Sequence, residues 1–206
     1  VADIPDRRAR RRAETIAEIL DIALEVMAEE GVAGLSLAAV ARRLGVRPPS
    51  LYKYVASRHA VYDALFRRGQ EGYLDAVRQA AAPHEPGLAA MGASLEAGAR
   101  WIMANQVTAQ LLFWRPVPGY RPSPEAYAPA LAVHEHFAAL IRAAVARGEL
   151  HPDAAGEEGL ALAASLIAGP ISQQLANEPG ATYEEGRFTR LVPRLPAMFA
   201  AIYPPP

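Results

Sequence analysis

The chain has no cysteine, a single lysine, and no acidic residue between Glu30 and Asp63. Without cysteine there is neither a disulfide framework nor a thiolate metal site, which suits a reducing cytoplasm. The lysine shortage stands beside twenty arginines and abundant alanine, glycine and proline, the composition of a gene rich in G and C and hence of a bacterial source. Long apolar runs are also missing. The longest, 159–171, is interrupted by Ser165 and Pro170 and falls short of the roughly 20 residues of a membrane span. Arg7, Arg8, Arg10, Arg11 and Arg12 resemble the charged start of a secretion signal. Glu14, Glu18, Asp21 and Glu25 interrupt the next stretch of chain, so no apolar signal core exists.

Catalytic signatures are absent as well. No phosphate-cradling or dinucleotide-binding glycine loop occurs, and Gly92-Ala-Ser94-Leu-Glu96 is not the strained serine elbow. His134 and His136 lie two apart, which on a helix sends them to nearly opposite faces and prevents them from sharing one ion. Neither an enzyme, a metal nor a cofactor is expected.

At 206 residues and 51% hydrophobic content the chain can bury about 70% of its unfolded surface, enough for two small domains. Residues 1–80 carry 13 basic and 11 acidic side chains, net +2, whereas 81–206 carry 8 and 11, net −3. The basic half holds the acid-free gap, with Arg42, Arg43, Arg47, Lys53 and Arg58 inside it and no opposite charge within the gap to cancel them.

That gap has an internal order. Ser36 is a good N-cap, and Leu37, Val40, Ala41 and Leu44 then recur at helical spacing, so Arg42 and Arg43 are expected to face outward. Gly45 tolerates the positive backbone angle that ends a helix, with Val46 as an apolar plug. Pro48 and Pro49 suit the first turn of a second helix, which is short because Ser57 offers a new cap. Leu51 is its inward anchor, leaving Arg47, Ser50, Tyr52, Lys53 and Tyr54 to point outward. Two helices around a tight glycine turn match a helix-turn-helix, which enters a DNA major groove. The arginine cluster at 7–12 then has a further reading, as a flexible arm laid along DNA.

On these residues the chain resembles TetR-family transcriptional regulators. The likeness runs over about 12–65 and includes Glu14, Gly31, Gly34, Ser36, Gly45, Leu51, Tyr52, Tyr54, Val55, Ser57 and Arg58. It implies that Ser36, Tyr52 and Arg58 hold phosphates and that Arg47, Pro49, Ser50, Lys53 and Tyr54 face the groove. Leu37, Ala38 and Ala39 stand where some relatives carry a basic or polar residue, so Arg47 and Lys53 must carry more of the readout. It further implies an all-α fold with a DNA-binding domain at 1–62 (motif 36–55) and an effector-binding and dimerisation domain at 63–206.

No alternating strand pattern and no repeat appears, and about nine helices are predicted. The last two long ones, 154–177 and 184–202, are expected to pair two subunits through Leu162, Leu166, Ile167, Ile171 and Leu175 with Leu191, Leu195, Met198 and Phe199. Pro193 and Pro196 favour a kink in the second. In the middle of the chain, Trp101, Met103, Gln106, Phe113, Trp114, Tyr127, His134 and Phe137 combine apolar bulk with a few polar tips, the make-up of a small-molecule pocket or of plain core. The expected function is a cytoplasmic, homodimeric, ligand-responsive repressor acting on a double-stranded DNA operator, with no membrane involved. The alternatives are a small-molecule carrier with a vestigial DNA module, and an activator or partner-controlled regulator without a ligand.

Overall fold

The computed structural model describes residues 7–206, and these form nine α-helices and three 3-10 turns, with no strand among the described residues. Helix α1 (Arg7–Glu30) is followed by a 3-10 turn (Val32–Gly34), α2 (Leu37–Arg43), α3 (Pro48–Leu51) and the long α4 (Arg58–Ala81). Then come α5 (Leu88–Ala104), α6 (Gln106–Phe113), α7 (Pro124–Ala146), a 3-10 turn (Pro152–Ala155) and α8 (Glu157–Asn177). A third 3-10 turn (Thr189–Arg194) leads into α9 (Leu195–Ile202). The arginine cluster is the helical start of α1, not a flexible arm. Arginine is a good helix former and no Gly or Pro interrupts 7–30, so nothing stops the helix beginning early.

The chain divides into two compact units. The first comprises the residues up to Gly69 together with Val107–Tyr127. Ile19, Leu20, Ala23, Val26 and Met27 form one buried stripe of α1 at helical spacing. The same core takes in Val32, Leu35, Val40, Ala41, Leu51, Val55, Val61 and Leu65, all buried. Tyr62 lies wholly within it and donates its hydroxyl proton to the Val32 carbonyl at 2.7 Å, which satisfies a polar group that burial would otherwise leave costly. At Gly69 the helices approach closely, and a Cβ there would lie 2.6 Å from Thr108 Cγ2 on α6.

The second unit holds Gln70–Gln106 and Ala128–Pro206. Its core is built from Tyr73 and Val77 of α4, Met91, Leu95, Ala99 and Ile102 of α5, Ala138, Ile141 and Ala144 of α7, and Ile171, Leu195 and Phe199. Ser94, fully buried, donates to the Val77 carbonyl at 3.1 Å and lies 3.1 Å from His136 Nε2. Burial, with Arg78 nearby, holds the His136 ring below its ordinary pKa. Glu149 caps α5 by accepting the Leu88 amide proton at 2.8 Å, and that bond, with Arg147 beside it, keeps the carboxyl below the usual range.

The C-terminal end departs from the expected pair of long helices. Helix α8 runs through Pro170 without ending, whereas the last segment is no single kinked helix. It is the 3-10 turn with Pro193 inside it, followed by the eight residues of α9 with Pro196 in the first turn. The two missing amide protons, at 193 and 196, remove the α-helical bonds that would have joined the pieces. Gln174 of α8, completely buried, anchors this region: its Oε1 accepts the Phe188 amide proton at 2.9 Å and its Nε2 donates to the Glu178 carbonyl at 3.1 Å.

Candidate nucleic-acid interface

Ser36 accepts the Ala39 amide proton at 3.4 Å and so starts α2 where its spacing predicts. The helix ends in a crossed pair of bonds, Gly45 N–H to the Arg42 carbonyl and Val46 N–H to the Ala41 carbonyl, with Gly45 at φ 73°. That left-handed angle lets the chain reverse within three residues and leads it into Pro48 and Pro49, which open α3. The α-helical part of α3 is only four residues long. Turn bonds carry it on: Lys53 and Tyr54 donate to the carbonyls of Ser50 and Leu51, and Val55 also to Leu51. Ser57 then caps α4 through the Ala60 amide at 3.1 Å, placing Arg58 at a helix N-terminus, where free amides and the helix dipole favour an anion.

On this frame Arg42, Arg47, Pro49, Lys53 and Arg58 are exposed, as is Ser36, and Tyr52 keeps 55% of its surface open while its neighbour Leu51 is fully buried. Ser50 is half-buried at the edge of the face. Two residues have surroundings that the segment alone does not show. Arg43 turns back to α1, where it forms a short bond to Glu29 and lies 3.7 Å from Glu25, holding the Glu29 carboxyl below the usual range. It is exposed, as its spacing predicts, but its charge is engaged because α1 brings acids to it from outside the gap. Tyr54 is half-buried rather than presented. It sits three residues after Leu51, toward the inward face, and the Arg12 guanidinium covers its ring at 5.5 Å. In the sequence Arg12 is only one member of the arginine cluster, and its tie to Tyr54 is what sequence reasoning missed. It also donates from Nη1 to the Lys53 carbonyl at 2.7 Å, and only the fold brings two residues 41 apart together.

The expected effector residues fall in both units. In the first, Phe113 and Trp114 meet edge to face at 5.8 Å, and Tyr127 stacks on Phe66 at 6.1 Å; all three are partly exposed. In the second, Trp101 meets Tyr73 edge-on at 5.6 Å, Met103 is buried, and Phe137 stands against His136. Gln106 donates to the Pro179 carbonyl at 2.6 Å, and His134 is exposed. The second unit also carries an open groove of about 700 Å³ lined by small residues of α5, among them Ala89, Gly92 and Ala93, with Glu96 and Arg100 beside them. None of the eight expected residues lines it.

Of the residues expected between subunits, Ile171, Leu195 and Phe199 are buried within one chain and form the layer beneath. Leu162, Leu166, Ile167 and Leu175 are only partly covered, and Leu191 and Met198 are exposed. By length and composition α8 is also apolar enough to cross a membrane, with a mean hydropathy of 1.2 and only 17% of that window buried.

Known proteins agree with this geometry. The family model described as "Bacterial regulatory proteins, tetR family" matches residues 19–65, from mid-α1 to α4. Over that segment the chain is similar to the tetR family of bacterial regulatory proteins. Over 150 residues it is 29% identical to the HTH-type transcriptional regulator Rv1816 of Mycobacterium tuberculosis, a match spanning 70% of this chain and 63% of that protein. It is 40% identical to the class D tetracycline repressor protein of Escherichia coli over 47 residues, 23% of this chain and 22% of the repressor. The crystal structure of the regulatory protein SCO4313 superposes with a TM-score of 0.72 at 26% identity, covering 94% of this chain and 98% of the other. The family's helix-turn-helix is thus the segment that α2 and α3 build here.

Proposed function

We propose that the protein is a transcriptional regulator that binds DNA as a homodimer and represses until a small, partly apolar effector releases it. The observation that carries this reading is the outward face of 47–58. Arg47, Lys53 and Arg58 stand exposed around Tyr52 on a helix-turn-helix, with no carboxylate in the same segment. Phosphate contacts from Ser36, Tyr52 and Arg58 set position, while Arg47 and Lys53, with Pro49 and Ser50, reach base edges; arginine or lysine most naturally bridges the two guanine acceptors. Tyr54 acts behind this face, through Arg12.

Residues 1–62 serve as the DNA-binding domain and 63–206 as the effector and dimerisation domain. The partly bare apolar residues of α8 and the exposed Leu191 and Met198 support a two-fold contact, which also accounts for the low burial of α8 in one chain. A two-fold pair requires an inverted-repeat operator with half-sites about one turn apart, ~34 to 36 Å. The half-buried aromatic side chains of the second unit, Trp101 and Phe137, support a mainly apolar effector. Release needs the effector to prefer a conformation in which the two recognition helices no longer match the operator, with a coupling typically of ~1 to 3 kcal/mol.

The test is selection of bound fragments from a random DNA pool, followed by titration at several salt concentrations on the recovered and a scrambled sequence. Tight binding to an inverted repeat that weakens with salt is expected. Binding that ignores both sequence and salt would remove the proposal.

A further inference from the structure

We infer that Arg12 of α1 is a positioning residue for the DNA-reading segment: it fixes the peptide after Lys53, and with it the direction in which the Lys53 side chain leaves the surface. This rests on the DNA-binding reading above and adds the residue that aims one of its base contacts. The α-helical part of α3 ends at Leu51. Beyond it the chain hangs between Leu51 and Val55, both buried, with Tyr52 and Lys53 exposed. The Lys53 N–H reaches the Ser50 carbonyl only at 3.3 Å, and the amides of Tyr54 and Val55 share the Leu51 carbonyl. Such an end frays unless its free carbonyls find donors.

Arg12 supplies a donor from another helix. Its Nη1 donates to the Lys53 carbonyl at 2.7 Å, and its guanidinium lies 5.5 Å from the centre of the Tyr54 ring. Because the peptide is planar, the direction of a carbonyl follows the ψ angle of its own residue. Holding the Lys53 oxygen therefore holds ψ at Lys53, and the ring contact holds the next residue. The register of α1 makes this possible. Arg12, Ile16, Ile19, Ala23 and Val26 recur at intervals of three or four, with burial rising from half-buried Ile16 to wholly buried Ile19 and Ala23. Arg12 thus continues the inward stripe one turn past the apolar core, where a long polar side chain reaches the recognition segment. At the other end of α1, Glu25 and Glu29 hold Arg43 of α2. One helix grips both halves of the helix-turn-helix. The Arg12 contacts lie at the surface, where each is weak, so they act on aim more than on the stability of the fold.

The parent, Arg12→Ala, Lys53→Ala and the double variant are titrated on the DNA recovered from the random pool and on scrambled DNA, between about 50 and 200 mM salt. Arg12→Ala is expected to cut the ratio of operator to scrambled affinity about fivefold or more, the lower end for loss of one base-edge contact. The slope of log K against log salt should stay that of the parent, and Arg12→Ala should take nothing further from the ratio once Lys53 is alanine. If circular dichroism finds Arg12→Ala unfolded, Arg12→Lys, which keeps the charge but loses the planar fork, is read in the same way. An unchanged ratio overturns the inference alone, as does a double variant whose loss equals the sum of the two single losses. So does a slope shallower by about 2 for a dimer, which would make Arg12 itself a phosphate contact in each subunit. If Lys53→Ala keeps the parent's preference, or the parent has none, the base-reading role of Lys53 falls and the inference falls with it.

Discussion

The Tyr120 hydroxyl donates to Asp63 Oδ1 at 2.9 Å, and the same oxygen accepts the Ser123 amide proton at 3.2 Å. One carboxylate of α4 thereby holds the proline-rich segment after α6 against α4 within the first unit, with the Tyr120 ring also lying 5.2 Å from that of Tyr62. Tyr120→Phe keeps the ring and removes the bond. Hydrogen bonds to charged groups contribute roughly 1.5 to 3 kcal/mol, so the variant is expected to lose about that much unfolding free energy and hence to unfold at a lower urea concentration. Equal midpoints for variant and parent would show that water replaces the tyrosine without loss.

Burial pushes the phenols of Tyr62, Tyr73 and Tyr120 above their ordinary pKa, with the Asp63 bond adding to the shift of Tyr120. A folded-state value above the unfolded one stabilises the fold fully below the unfolded pKa of about 10, and this contribution is lost as pH rises from there toward the folded value. Stability measured by urea titration should therefore be flat from about pH 8 to 9.5 and fall beyond about 10. Tyr73→Phe should make that fall shallower, and an unchanged profile would contradict the assignment of Tyr73.

Gly98 touches the same phenol. A Cβ at this position would lie 2.6 Å from the Tyr73 hydroxyl oxygen and 3.0 Å from Cζ, and the Tyr73 ring is already packed edge-on against Trp101. Gly98→Ala is expected to destabilise by about 1 to 3 kcal/mol despite the better helix propensity of alanine. Combining it with Tyr73→Phe should recover part of the loss, because the closest clashing atom is gone. Additive losses in that double variant would argue against a direct contact.

For the DNA face, Tyr52→Ala should weaken binding to operator and scrambled sequence alike, whereas Arg47→Ala or Lys53→Ala should cost about 1 to 3 kcal/mol on the operator and relax the sequence preference. Titrations on both DNAs separate these outcomes. Indistinguishable behaviour of the three variants would refute the division between phosphate and base contacts.

At the C-terminal end, Leu166→Glu with Met198→Glu should leave the subunit folded and shift sedimentation toward the monomer. Phe199→Ala should instead unfold it, losing about 3 to 5 kcal/mol, because Phe199 is sealed inside one chain. A charged pair of substitutions that leaves a tight dimer would place the interface elsewhere.

Local signals in the chain determined the caps at Ser36 and Ser57, the turn at Gly45, the prolines that open α3 and the buried stripe of α1, because capping, glycine geometry and helical periodicity act within a few residues. The lack of any alternating pattern was enough for an all-α fold. The partners of individual charges and rings needed the tertiary structure: Arg43 is engaged by acids of α1, Tyr54 is covered by Arg12, and Phe199 is core rather than surface. Each of those outcomes depends on which helix packs beside which, a long-range relationship set by the summed burial of many side chains that no window of sequence contains.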